Sequence, residues 1–213
     1  MKDEEQTKEE AGIYVINGHR FVDLGLPSGL LWAETNIGAK TAADDGDYYA
    51  WGETSTKKEY SPENYKYGST RMSWYKYNLS DEKAVLDKED DAAYVNWGTS
   101  CRMPTATEID ELCDTLNCTW TWTSKKNSSK RSINGYKVTS KKNGNSIFLP
   151  ASGLRNYDNL VKHNKVGKYW SSSIGWAGIR QLESRFIYFE SELHHSTSMT
   201  RHYGHTIRPV AEP

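Results

Sequence analysis

The chain has 213 residues, a net charge of −1, 36% hydrophobic residues, eight Trp and fourteen Tyr. This near-neutral balance excludes a basic field for nucleic acid, and no apolar run approaches the roughly 20 residues that a membrane-spanning helix needs. The length suits one large domain or two small ones, and the aromatic content favours a core that rests on large rings.

Residues 1–11, within "MKDEEQTKEEAG", read as a disordered charged lead, without the apolar run of a signal peptide. The domain is expected over 12–213. In "GIYVINGHRFVDLGLPSGLLWA", Asn17-Gly18 between two β-rich runs predicts a hairpin. "TAADDGDYYAWGE", 41–53, predicts a short helix ending near Gly52. Apolar spacing around Ala92, Ala93 and Val95 predicts another, closed by Gly98. The clearest helix lies in "RMPTATEIDELCDTL": Thr105 and Glu108 form a capping box, and Ile109, Leu112, Cys113 and Leu116 share a face.

The second half reads as strands. "CTWTWTS" alternates polar and aromatic residues, the period of a half-buried strand. "GYKVTSKKNGNSIFLPASG" is a hairpin about Asn143-Gly144, and "YWSSS", "RFIYFES" and "HTIRPV" are further strands. Residues 124–134 and 154–168 read as polar loops. Helices early and strands late give an α+β class, with short helices and a mixed, mostly antiparallel sheet.

Three cysteines, Cys101, Cys113 and Cys118, are too few and odd in number for a disulfide framework. A single Cys113–Cys118 bridge is one alternative; buried thiols acting as small hydrophobes are the favoured one. Their spacing fits no zinc pattern. Asp44, Asp45, Asp47 and Glu53, then Asp87, Glu89, Asp90 and Asp91, offer carboxylates of the calcium-binding kind. Capping of turns and of a helix start is the favoured reading.

"ELHHSTSMTRHYGH", residues 192–205, holds four of the six histidines: His194, His195, His202 and His205. His202 and His205, three apart, share a face on a helix and point oppositely on a strand. Strand and turn context makes joint zinc ligation awkward, so these histidines are expected to be exposed display residues, with no metal and no cofactor.

Several stretches, "FVDLGLPSGLLWAETNIGA", "GDYYAWGET", "DDAAYVNWG", "CRMPTATEIDEL", "NGYKVTS", "GNSIFLPASGLRN", "GKYWSSS" and "GHTIRPV", resemble the Fibrobacter succinogenes major paralogous domain, a family common in Bacteroides-type bacteria. The resemblance runs in order from about Phe21 to Val210. It implies a C-type lectin-like fold in which the closing "RPV" strand brings the two ends of the domain together. It also implies a link to variable proteins of diversity-generating retroelements, from such bacteria or their phages. There, error-prone copying of template adenines rewrites a C-terminal ligand-binding segment. One change at an adenine of an AAC codon yields His, Ser, Thr or Tyr, which is what His194, His195, Ser196, Thr197, Ser198, Thr200, His202, Tyr203 and His205 are. Trp176, Met199, Glu190 and Glu192 do not arise that way.

The expectation is a cell-surface or virion protein whose variable region, about 170–208, binds a protein or glycan on another cell or virion. It has no membrane span and no nucleic-acid partner. The outward binding set is Trp176, Arg180, Glu183, Arg185, Tyr188, Glu190, Glu192, His194, His195, Thr197, Met199, His202 and His205, with Ile187 and Phe189 inward. Trp32, Trp51, Trp97, Trp120, Trp122 and Trp170 are expected in the core. A fixed adhesin or structural module of a surface assembly is the alternative. An enzyme on the related formylglycine-generating fold is weaker, because the last strands carry no cysteine and no nucleophile–base arrangement is visible. No catalytic residue is assigned.

Overall fold

The computed structural model describes residues 6–10, 12–70, 73–78, 80–175 and 183–213. It is an α+β domain, mostly sheet, 11% helical and 39% strand. No helix among the described residues is long and apolar enough to cross a membrane.

The first strands are β1 (Gln6–Glu10), β2 (Ile13–Ile16), β3 (His19–Asp23) and β4 (Leu31–Ala33). Residues 6–10 thus pair with β2 rather than forming part of a disordered lead. Asn17 (φ 50°) and Gly18 (φ 79°) turn β2 into β3, with Ile16 opposite His19. Positive φ at both central residues matches strand twist in a two-residue hairpin, which is why Asn-Gly marks one in sequence.

Residues 41–53 contain no helix; turns and an isolated bridge replace it. The reason lies in where its polar groups bond. Asp44 bonds Thr41 and Ser128, and the Tyr48 hydroxyl donates to the carbonyl of Ser152. The backbone amides of Asp47, Tyr49 and Trp51 donate to the carbonyls of Ile37, His205 and Arg201, so partners outside the segment take backbone groups that a local helix would use.

Helix α1 is Ala92–Trp97. Asp91 caps it by accepting from the amides of Ala93 and Tyr94, and Gly98 closes it at φ 101°. After the short β5 (Cys101–Arg102), α2 (Ala106–Cys113) carries the predicted Thr105–Glu108 capping box. Ile109 and Leu112 are buried, but Leu116 falls beyond the helix end and is 81% exposed.

The next strands, β6 (Cys118–Lys126), β7 (Ser132–Ser140) and β8 (Ser146–Pro150), form a three-stranded sheet. The small β9 (Leu154–Asn156) and β10 (Asn159–Val161) hairpin interrupts a segment expected to be loop. The last major unit is β11 (Gly167–Ile174), β12 (Ser184–Glu190) and β13 (Leu193–Met199). The closing β14 (Val210–Ala211) inserts between β4 and β5, so the main sheet runs β1-β2-β3-β4-β14-β5. Both ends of the domain therefore lie in one sheet, as the sequence led one to expect. Named strands pair antiparallel, and Tyr169 and Thr206 make a parallel bridge.

Two cores form on opposite sides of the strands. Phe21, Trp51, Trp97, Trp170 and Phe186 belong to one; Val22, Trp32, Ile109, Tyr169, Ile187 and Phe189 belong to the other. Trp120 and Trp122 are only half-buried at the edge of the second. All three cysteines are free thiols, with Cys101 and Cys118 buried. Gly167 is required by packing: a Cβ there would collide with the Phe189 ring.

Candidate ligand-binding face

Antiparallel pairing sets side chains of β11, β12 and β13 in rows. Lys168 stands opposite Tyr188, and Tyr188 opposite His195; in the next row Trp170, Phe186 and Thr197 align; Ser184 faces Met199 beyond. Alternation puts these on one face of the sheet. Trp170 and Phe186 are buried in the first core, with ring centroids 5.7 Å apart at 76°. Towards Glu190 and Leu193 the same face opens to solvent.

The half-buried Lys168 crosses this face. Its Nζ lies 5.1 Å over the Phe186 ring and 5.8 Å over Tyr188, and donates to the Met199 sulfur at 3.5 Å. Loss of hydration, aided by the charge of Lys162, pushes its amine down to about 8. Tyr188 donates to Glu190 Oε2 at 3.2 Å, and its ring lies 5.3 Å from that of His195. The patch thus combines rigid rings, a thioether, one poorly hydrated cation and hydrogen-bonding groups.

Of the expected outward set, Tyr188, Glu190, His195, Thr197 and Met199 share this face. Glu192 is exposed in the β12–β13 turn. His202 is half-buried, its ring tilted at 32° to that of Tyr203 with centroids 4.2 Å apart, and lines a hollow of about 230 Å³ with Tyr65, Trp74 and Thr200. Glu183 is half-buried and accepts the Ser198 hydroxyl at 2.7 Å. Trp176 and Arg180 lie outside the described residues.

Three residues depart from the expectation. Arg185 is buried at 3% exposure, on the opposite face with Ile187 and Phe189. There it bonds Asp110 of α2 at 3.0 and 3.2 Å and Ser196 at 2.6 Å. The regular period of two from Ser184 to Glu190 makes this unavoidable: Arg185 cannot be outward while Ile187 is inward. His194, opposite Phe189, is on that inner face too, stacked on Trp120 at 4.4 Å and 6°.

His205 is fully buried, 3.9 Å from Trp170 and 4.9 Å from Phe186, because its backbone bridges Tyr49 in the interior. Both of its ring nitrogens lack a hydrogen-bond partner among the described residues. Burial, with Lys168 and His202 nearby, holds it neutral far below the usual imidazole range.

Lys168 was missed because the expected set began after β11. The signal was present: Tyr169 and Ser171 alternate with Lys168 and Trp170, so Lys168 shares parity with a core-facing Trp at the strand's open end. The three serines that follow serve structure. The Ser171 hydroxyl donates to the carbonyl of Arg185, and Ser173 accepts from the Ala106 amide at the start of α2.

Among the described residues, the grouping with metal-ligand geometry is Asp87, Glu89 and Asp90. Ammonium groups already occupy it: Lys66 and Lys76 lie 2.6 and 2.5 Å from Asp90, and Lys76 and Lys83 lie 2.7 and 2.5 Å from Asp87. Of the other acidic cluster, Asp45 pairs with His163 at 2.7 Å. A larger cavity of about 590 Å³ lies beside β5, between Ile16, Leu86, Tyr94 and Cys101. Its Arg102 is held by Glu108, and its Asp91 is spent on the amides of Ala93, Tyr94 and Met103.

No family model, no curated protein and no solved structure matches the chain.

Proposed function

We propose that this chain is a ligand-binding domain of receptor or adhesin type on a C-type lectin-like scaffold. On this reading it acts at a cell surface or on a virion, without catalysis, and its outward face on β11–β13 is the target of a diversity-generating retroelement. The observation that carries the reading is the register of β12 and β13. Seven consecutive pairs from Ser184–Met199 to Glu190–Leu193 fix the backbone, while Tyr188, His195, Thr197 and Met199 remain at least partly open to solvent. A backbone held by pairing and by buried neighbours lets outward side chains change at little cost in stability. Aromatic anchors beside adaptable polar groups are what recognition surfaces use. The joining of both chain ends in one sheet is consistent with the lectin-like scaffold.

Deep sequencing of the gene across a population tests it. The expected result is substitution concentrated at adenines in the codons for His195, Thr197 and His202, with Arg185 and His205 spared because they are buried. A uniform sequence at those codons, with no reverse transcriptase and template repeat beside the gene, would replace diversification by the fixed adhesin.

A further inference from the structure

Among the described residues, four lysines lie within 6 Å of a buried aromatic ring, and three of them follow one pattern. Lys57 lies over Tyr60 and Tyr65 and pairs with Glu53; Lys66 lies over Tyr67 and Lys76 over Tyr77, and both pair with Asp90. Ring and carboxylate together replace the water that the ammonium gives up. Lys168 has the rings of Phe186 and Tyr188, but its side chain's polar partner among the described residues is a thioether, a weak acceptor. Lys88, over Tyr94, also has no acid paired with it among the described residues, but it is exposed to solvent. Lys168 is therefore the half-buried cation of this kind whose counter-charge is missing among the described residues.

Resting on the binding-face reading, we infer that the ligand presents a carboxylate to Lys168, with the body of the ligand lying against Tyr188, His195 and Met199. The charges around the site favour a singly charged group. Lys162 approaches from the β10–β11 connection and adds positive field. Glu190 is engaged by the Tyr188 hydroxyl. His195 lies across Tyr188, and His205, behind the face near His202, is neutral. One ammonium between apolar walls matches a monoanion on an apolar or sugar body; phosphate recognition instead gathers several Arg donors. Acidic sugars and acidic side chains both carry the required group.

The test uses four probes on the full chain: a galacturonate oligomer, its methyl ester, a glutamate-containing tripeptide and its glutamine counterpart, titrated by calorimetry from pH 6 to 10. At least one acid probe should bind, with its neutral counterpart weaker by about tenfold or more; the acid that binds identifies the source as sugar or peptide. Lys168→Ala should lose that preference, Lys168→Arg should keep it, and Glu190→Gln should strengthen it. Because the amine titrates near 8, wild-type affinity for the acid should fall about tenfold per pH unit above that value. Affinity in Lys168→Arg should stay level to pH 10, since a guanidinium does not lose its proton there. Equal binding of acid and neutral probes, or an unchanged preference in a folded Lys168→Ala, sinks the carboxylate and leaves the face as a binding surface. Binding of none of the four sinks the carboxylate and counts against the face as well.

Discussion

The β12–β13 hairpin and the segment 200–208 that follows it share residue types and differ in burial. The hairpin presents His195 and Thr197 on a partly open face. The segment buries Arg201, His205, Thr206 and Arg208, each at no more than 1% exposure. Arg201 is sandwiched between Trp51 and Trp74, at 4.6 and 4.4 Å. Arg208 donates to Asn36 Oδ1 and to the carbonyls of Ala33, Glu34 and Phe148, all within 3.0 Å. A polar composition thus says nothing about exposure by itself. A hairpin at a sheet edge keeps one side in water, whereas a chain threaded between two cores must satisfy its polar groups internally.

The comparison can be broken most forcefully at Arg208. Arg208→Ala should strand three buried acceptors and one part-buried one and cost at least about 3 kcal/mol, read from denaturant unfolding. Trp170→Ala, which removes the ring under His205, should cost about 3–5 kcal/mol. Either change leaving the midpoint near wild type would mean that the 200–208 segment is not threaded through the core.

His205 sharpens the contrast through pH. Its folded-state proton affinity lies well below the ordinary 6.5, so below that pH the unfolded chain takes up a proton that the folded chain resists. The stability that depends on neutral His205 is complete above about pH 6.5 and is lost as pH falls. His205→Phe should flatten the acid limb of the stability–pH curve; an unchanged limb would place the acid sensitivity elsewhere.

Smaller effects are expected on the hairpin. His194→Ala removes a stacked ring from Trp120 and should cost about 1 kcal/mol. His195→Ala and Thr197→Ala together should move stability by no more than about 0.5 kcal/mol. Should the outward pair cost as much as His194, the two faces of β13 would not differ as the register requires. Chelation with EDTA should leave the melting point where it is, because lysines already neutralise Asp87 and Asp90.

The local signals that survive in the structure are those with short-range causes. Asn17-Gly18 dictates its hairpin by backbone sterics, Thr105 and Glu108 start α2 by satisfying its free amides, and Ile187 and Phe189 point inward by strand period. Parity already contained the correction to Arg185, since it shares a face with Ile187. The absence of a helix over 41–53 was not readable, because Asp44 and Tyr48 find partners at Ser128 and Ser152, more than 80 residues away. The strand at Gln6–Glu10 likewise depends on an available edge at β2, which no feature of that charged stretch announces.

By itself, then, the sequence determined the α+β class, the hairpin turns and the capped helix. Tertiary structure decided which histidines of the stretch 192–205 meet water, and it placed Lys168 across Phe186 and Tyr188 with a thioether where its three counterparts have a carboxylate. The physical reason is range. Turns, caps and strand parity are fixed by neighbours a few residues apart, whereas burial and the pairing of charge depend on segments far apart in the chain, as where β14 pairs with both β4 and β5.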